Sequence, residues 1–296
     1  MNNTFALKTL NYIWTHPNCR HQKIPSVLRF FNWQAYKRFT HRHRDLQLLP
    51  NVKLRCYPDS ASAATVLYCG LYDYDEMNFL LRYLRPEDSF LDIGANIGVY
   101  TLLAASKIQS GSIHSFEALP KNYERLQENI KLNSLEQVKT HAIAVSNQTG
   151  SVALNLAEGD SMPFITHSAT DSTLTVPTDT LDNQLQPYSV SNLTLAKMDI
   201  EGAELLALKG AVSLLKQQRP YVWILEINDS VNHFGYRKED VVDFLHSFGY
   251  SLYRYSALTN QISPITLEQQ QGNNVLAIAD SAVEFVRDRL TKVQLA

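Results

Sequence analysis

Cysteine is scarce in this chain, with three in 296 residues, at Cys19, Cys56 and Cys69. An odd number without metal-ligand spacing rules against a disulfide framework, and the three read as reduced thiols of a cytoplasmic protein. Long apolar runs are missing too. No stretch reaches the roughly 18 residues that a membrane span needs. Asn11, Thr15 and His16 break up the N-terminus before it can form the apolar segment of a signal peptide. No internal repeat or low-complexity tract occurs, and a net charge of -2 gives no sign of a general polyanion binder. What is present is an ordinary globular composition, 45% hydrophobic and 19% charged, with ample core for a single α/β domain of this length.

The charge is unevenly spread. Residues 1–50 hold eight Lys/Arg and one acid, Asp45, so a +7 arm precedes a -9 body. Trp14, Phe30, Phe31, Trp33, Tyr36 and Phe39 are interleaved with those cations. Such a mixture suits nucleic acid, an anionic membrane surface or a glycan. It equally suits an amphipathic helix from about Pro25 to Arg44 docked on the body with its cations solvated. The docked helix is the expectation, lying over a crevice mouth or against a second copy, with peripheral membrane contact as the alternative.

Beyond the arm, Val52–Tyr57 and Ala64–Tyr68 read as two strands joined by a turn at Pro58–Ser62. Asp73 with Glu76 resembles a capping box opening a helix to Tyr83. Strands are then expected at 89–93, 112–117, 138–145, 193–199, 221–227, 250–255 and 274–279. Helices are expected at 97–107, 120–132, 202–217 and 237–248. This alternation predicts parallel βαβ units in a doubly wound sheet. Residues 150–192 interrupt it without a single Lys or Arg; they predict a hairpin or lid at the ligand end, or a solvated hairpin with no role.

The stretch Leu91-Asp92-Ile93-Gly94-Ala95-Asn96-Ile97-Gly98 carries the most chemistry. A strand ends near an acid and breaks into a glycine turn that opens a helix. Glu117 follows at the end of the next strand, the usual position for an acid that accepts hydrogen bonds from ribose hydroxyls. The spacing is G-x-x-x-G, not the G-x-G-x-x-G of pyrophosphate sites, and Asp92 would repel a pyrophosphate. A cationic nucleoside cofactor, S-adenosylmethionine, fits better. Alone, the turn could be a plain strand–turn–helix around a buried, capped Asp92; Glu117 tips the reading to the cofactor.

A second strand-to-helix junction, Lys197-Met198-Asp199-Ile200-Glu201-Gly202-Ala203-Glu204, again sets acids beside a glycine. Asp199 and Glu201 would face the crevice bounded by Asp92 and Glu117, where several carboxylates suit a cationic cofactor, a general base or a divalent metal. The alternative is structural: Glu201 favouring a helix N-terminus and Asp199 satisfied by backbone donors. Glu204 reads as structural.

These motifs, with Asn122-Tyr123-Glu124-Arg125-Leu126, Asn129, Asn133, Leu225-Glu226 and Phe248-Gly249-Tyr250, resemble the FkbM family of S-adenosylmethionine-dependent methyltransferases over roughly residues 70–280. One departure is Ala118-Leu119-Pro120, where members have proline directly after the acid. The resemblance implies a Rossmann-like class I methyltransferase fold, a doubly wound, mostly parallel seven-stranded sheet whose last strand is antiparallel. It places the methyltransferase domain at 71–296; the N-terminal basic helical arm and β-hairpin at 1–70, read from charge and pattern, inherit no role, because roughly the first 65 residues fall outside the family's defining region. It implies O-methylation of a hydroxyl on a sugar, glycan or polyketide-like molecule. Asp92, Gly94, Ala95, Asn96, Gly98 and Glu117 would bind cofactor. Asp199 would be the base or orient the cofactor, with Glu201 second and His233 an outside candidate. Metal dependence stays open. The rival readings are methylation of protein or nucleic acid and a non-catalytic cofactor-binding scaffold. Asp199-Ile-Glu-Gly stands where DNA amino-methylases carry Asn/Asp-Pro-Pro-Tyr, so no nucleic-acid partner is expected.

Overall fold

The computed structural model describes residues 3–155, 164–166, 173–188 and 190–292. Two helices come first, α1 (Asn3–Thr15) and α2 (Lys23–Thr40). Ile13, Phe30 and Trp33 on their inner faces are buried in the same core as Leu102 and Leu103 of the body. His41, in the left-handed region, ends α2 four residues before the expected boundary.

Strand β1 (Arg44–Leu49) then pairs antiparallel with β2 (Val52–Cys56), with Asp45 opposite Arg55 and bonded to it. A hairpin therefore exists, but not between the expected strands. Residues 64–68 lie inside a helix, α3 (Ala61–Cys69). The cause is local: the Ser60 hydroxyl accepts the Ala63 N–H at 3.2 Å and caps the helix. Helix α4 (Tyr74–Tyr83) follows, as expected. Its N-cap Asp73 makes no capping bond, however, and accepts instead from the Tyr100 hydroxyl at 2.8 Å.

The α/β body runs through β3 (Ser89–Ile93), α5 (Val99–Ala105), β4 (Ile113–Phe116), α6 (Pro120–Leu132) and β5 (Val138–His141). The expected strand 138–145 is split, because β6 (Ala144–Val145) leaves the main sheet. β6 joins β7 (Gly150–Asn155), β8 (Phe164–Thr166) and β9 (Thr173–Asp179) in a four-stranded sheet. The digression is thus a hairpin; residues 156–163 and 167–172 of it lie outside the described residues. After α7 (Leu181–Leu185), the chain returns through β10 (Leu193–Met198), α8 (Glu204–Lys209), α9 (Val212–Lys216) and β11 (Val222–Glu226). It closes with α10 (Lys238–His246), β12 (Tyr250–Ser256), β13 (Gln261–Pro264), β14 (Asn274–Ala279) and α11 (Val283–Thr291).

The main sheet has the order β13-β12-β14-β11-β10-β3-β4-β5. Pairs from β5 to β11 are parallel, and β14 inserts antiparallel between β11 and β12. These are the seven expected strands with their antiparallel last strand. The eighth, β13, is an edge strand contributed by a hairpin with β12. β3, β4 and β10 are buried along their whole length, because helices cover both faces of the sheet.

Candidate active site

The chain proceeds outward from β3 to β4 and β5, then crosses to β10 on the other side of β3. The strand order reverses between β3 and β10, and ligands of open α/β sheets bind at the carboxyl ends flanking such a reversal. Asp92 pairs in register with Lys197 and Ile93 with Met198, and the Asp199 N–H donates to the Ile93 carbonyl at 3.1 Å. A cavity of about 250 Å³ opens there. Both junction loops line it, together with Tyr72, Phe116, Ile143–Val145 and Leu154 of the hairpin sheet.

Asp92 is 1% exposed. Its Oδ2 accepts the Thr101 hydroxyl at 2.6 Å, whereas its buried Oδ1 has no hydrogen-bond partner. Burial drives its pKa up, against the pull of Lys197. A buried carboxylate oxygen left without a donor is costly, and it fits a site built to receive a cationic or hydrogen-bond-donating ligand.

The turn that follows is fixed by backbone geometry. Gly94 has φ of +80°, and a Cβ there would stand 2.0 Å from the Asp199 carbonyl oxygen. Its bareness therefore lets the β10 loop approach, and Gly94 itself lines the cavity. Ala95 and Asn96 line the cavity. Asn96 has φ of +51° and donates its N–H to Glu117 Oε2 at 2.7 Å. Gly98 does not line the cavity. Its Cβ would lie 2.6 Å from Leu126 Cδ1, so its close packing is against α6. Glu117 also accepts the Leu119 N–H at 2.8 Å, which leaves each of its oxygens able to accept once more. Burial pushes its pKa up to about 7.

On the other side, Lys197 is 5% exposed, with Nζ 2.8 Å from Asp199 Oδ2 and 5.1 Å from the centre of the Tyr100 ring. Burial raises the pKa of Asp199, but the Lys197 ammonium outweighs it and holds the carboxyl below its usual range. Glu226, at the end of β11, goes the other way. Burial, reinforced by the Asp199 charge, pushes it up to about 8, so it carries a proton at neutral pH, and its buried Oε2 has no hydrogen-bond partner. Glu201 has φ of +54°, and oxygens of Asp199, Glu201 and Glu226 all lie within 4.8 Å of one another. These three are the residues at the cavity that could hold a divalent cation.

Glu204 accepts the N–H groups of Ile200 and Gly202 at 3.1 and 3.2 Å and so braces the loop that carries Glu201. That matches its structural reading. His233 is exposed on the turn Asp229–Phe234 and does not line the cavity. Lys197, Glu226 and Tyr72 were not singled out from sequence. Lys197 and Glu226 stood inside the quoted motifs, where the acid-bearing pattern drew attention to their neighbours. Tyr72 carries no sequence signal. It is oriented by the N-terminal arm, whose Tyr12 hydroxyl and His16 Nε2 both reach its carbonyl, at 3.3 and 2.8 Å.

A family model described as the methyltransferase FkbM domain matches residues 92–252. The chain is 28% identical over 178 residues to the hexuronic acid methyltransferase AglP of Haloferax volcanii, covering 58% of this chain and 67% of that protein. It is 29% identical over 147 residues to Methyltransferase 1 of Beauveria bassiana, covering 42% of this chain but only 59% of the relative. The solved structure of a methyltransferase FkbM from Methylobacillus flagellatus aligns over 88% of this chain and 60% of its own, at 16% identity and a TM-score of 0.43. The family match begins at Asp92, takes in Glu117, Asp199, Glu201 and Glu226, and spans more than half of the chain. The chain belongs to the FkbM methyltransferase family.

Proposed function

We propose that this protein is an S-adenosylmethionine-dependent O-methyltransferase acting on a hydroxyl of a sugar, glycan or polyketide-like small molecule. The observation that carries the reading is the unpartnered, buried Oδ1 of Asp92 in a cleft lined by carboxylates. Such a cleft suits a ligand bearing an ammonium and a sulfonium and repels a pyrophosphate. When bound, S-adenosylmethionine supplies a methyl group on a sulfonium sulfur for in-line transfer to a nucleophile. Asp92, the turn Gly94-Ala95-Asn96 and Glu117 would hold it, with Gly98 packing the turn against α6. The free acceptor sites of Glu117 match a ribose diol.

Asp199 is the proposed acceptor of the hydroxyl proton, and Glu201 the second choice. Lys197 keeps Asp199 ionised, the state in which it can take a proton. Asp199, Glu201 and Glu226 would hold a divalent cation if turnover requires one. Similarity to a hexuronic acid methyltransferase favours a sugar acceptor. The cytoplasm is the proposed compartment, in keeping with three free cysteines.

The test is transfer of a labelled methyl group from S-adenosylmethionine to uronic-acid oligosaccharides, with hydroxylated polyketides and tRNA as competing acceptors. Each reaction is run with and without a chelator. Methylation of a carbohydrate hydroxyl supports the reading. Transfer only to tRNA or protein, or to nothing despite tight cofactor binding, contradicts it.

A further inference from the structure

Helix α2 is apolar on two opposite faces. Phe30 and Trp33 face the core and are buried. Ile24, Leu28 and Phe31, at i, i+4 and i+7, make a second stripe about half a turn round the helix from them. Phe39 extends that stripe, and Leu7 and Trp14, seven apart on α1, lie beside it on the partner helix. All six of these side chains are more than half exposed. The described residues include ten exposed large apolar side chains, and seven fall between residues 7 and 39. A helix that packs on a core normally turns a polar face to water, so a concentration of this kind marks a contact surface.

The cations of the arm surround the stripe. Lys8, Arg20, Arg38 and Arg42 are exposed, and Lys23 stands over the Trp14 ring at 4.8 Å from its centre. No helix of the described residues is long and apolar enough to cross a membrane. An amphipathic helix with aliphatic and aromatic residues on one side and Lys/Arg at its margins lies in the plane of a lipid surface.

We propose that the outer face of α1 and α2 is a docking surface for an anionic membrane. Two features decide among occupants. A second copy would bring two cationic faces together, which like charges oppose, whereas an anionic lipid surface complements them. Nucleic acid would use aromatic platforms for stacking, whereas half of this surface, Leu7, Ile24 and Leu28, is aliphatic and suits acyl chains. The inner side of the same arm holds the Tyr72 carbonyl through Tyr12 and His16. Docking would therefore bring the wall of the cleft to the membrane surface. The proposal does not depend on the methyl-transfer reading.

Flotation of the full chain with phosphatidylcholine vesicles, with and without about 30% phosphatidylserine, tests it. The wild type is expected to float with the anionic vesicles at least tenfold more than with the neutral ones, and to be released by roughly 0.5 M salt. Combined Ile24→Ser, Leu28→Ser and Phe31→Ser should abolish flotation while leaving the melting temperature unchanged, since none of the three is in the core. Arg38→Glu with Arg42→Glu should remove the preference for anionic lipid. Failure of the wild type to float overturns the proposal, as does flotation unaffected by the triple substitution. So does a wild-type dimer that the triple substitution dissociates with no vesicle binding in either form.

Discussion

At Asp199 two opposing influences meet: burial disfavours its charge, while the Lys197 ammonium 2.8 Å away favours it. Lys197 wins, and the Asp199 charge adds to burial in raising the pKa of Glu226 next door. An ionised carboxylate that already has a donor on one oxygen still has its other oxygen free for a substrate hydroxyl. Asp199→Asn keeps the size and removes the proton acceptor. Turnover should fall by about 10²–10⁴-fold, with a much smaller change in cofactor affinity, as read by kcat against the calorimetric Kd. Unchanged turnover with collapsed binding would make Asp199 a cofactor ligand and move the base to Glu201.

The junction of β3 with β10 is the element on which the cleft depends. Gly94→Ala would add strain at φ of +80° and drive a Cβ to within 2.0 Å of the Asp199 carbonyl oxygen, which is backbone and cannot swing away. Gly235 has φ of +74° but nothing within 4 Å of a built Cβ, so Gly235→Ala isolates the strain alone, roughly 1 kcal/mol. Thermal melts should show a small loss for Gly235→Ala. The loss for Gly94→Ala should be several times larger, with cofactor binding lost as well. Equal losses would mean that the two loops can separate at no cost.

Much at this scale was legible in the sequence where one local pattern decided the outcome. Helix α6 falls on 120–132 as expected, with Pro120 at its first position and one apolar face. Errors arose where distant contacts decide. The expected helix 202–217 breaks into α8 and α9 at Gly210, whose Cβ would meet the Ser146 carbonyl oxygen at 2.0 Å. β6 leaves the main sheet to pair with β9, more than thirty residues later. Residues 64–68 contain Thr, Val and Tyr, a strand-like run that the Ser60 cap overrides.

For the whole molecule, the central matter is the charge of the cleft. Asp92, Glu117 and Asp199 were readable as a group because each ends or follows a strand, Asp92 and Asp199 beside a glycine turn. Lys197 of β10 and Tyr72 of the loop between α3 and α4 line the cleft, Glu226 at the end of β11 lies beside Asp199 and Glu201, and only the fold brings them together. Burial among like charges leaves Glu117 and Glu204 at about 7 and Glu226 at about 8. The free cleft therefore holds protons at neutral pH. A cationic ligand favours the ionised carboxylates, so its binding must release protons, and its affinity must rise as pH rises through these values. An anionic dinucleotide would take up protons and show the opposite slope.

The charge of the cleft is tested by calorimetric titration with S-adenosylmethionine and with NAD, each at pH 6, 7 and 8. S-adenosylmethionine binding should tighten from pH 6 to 8 with proton release to the buffer, and NAD should not bind. Micromolar binding of NAD without binding of S-adenosylmethionine would contradict this reading of the cleft.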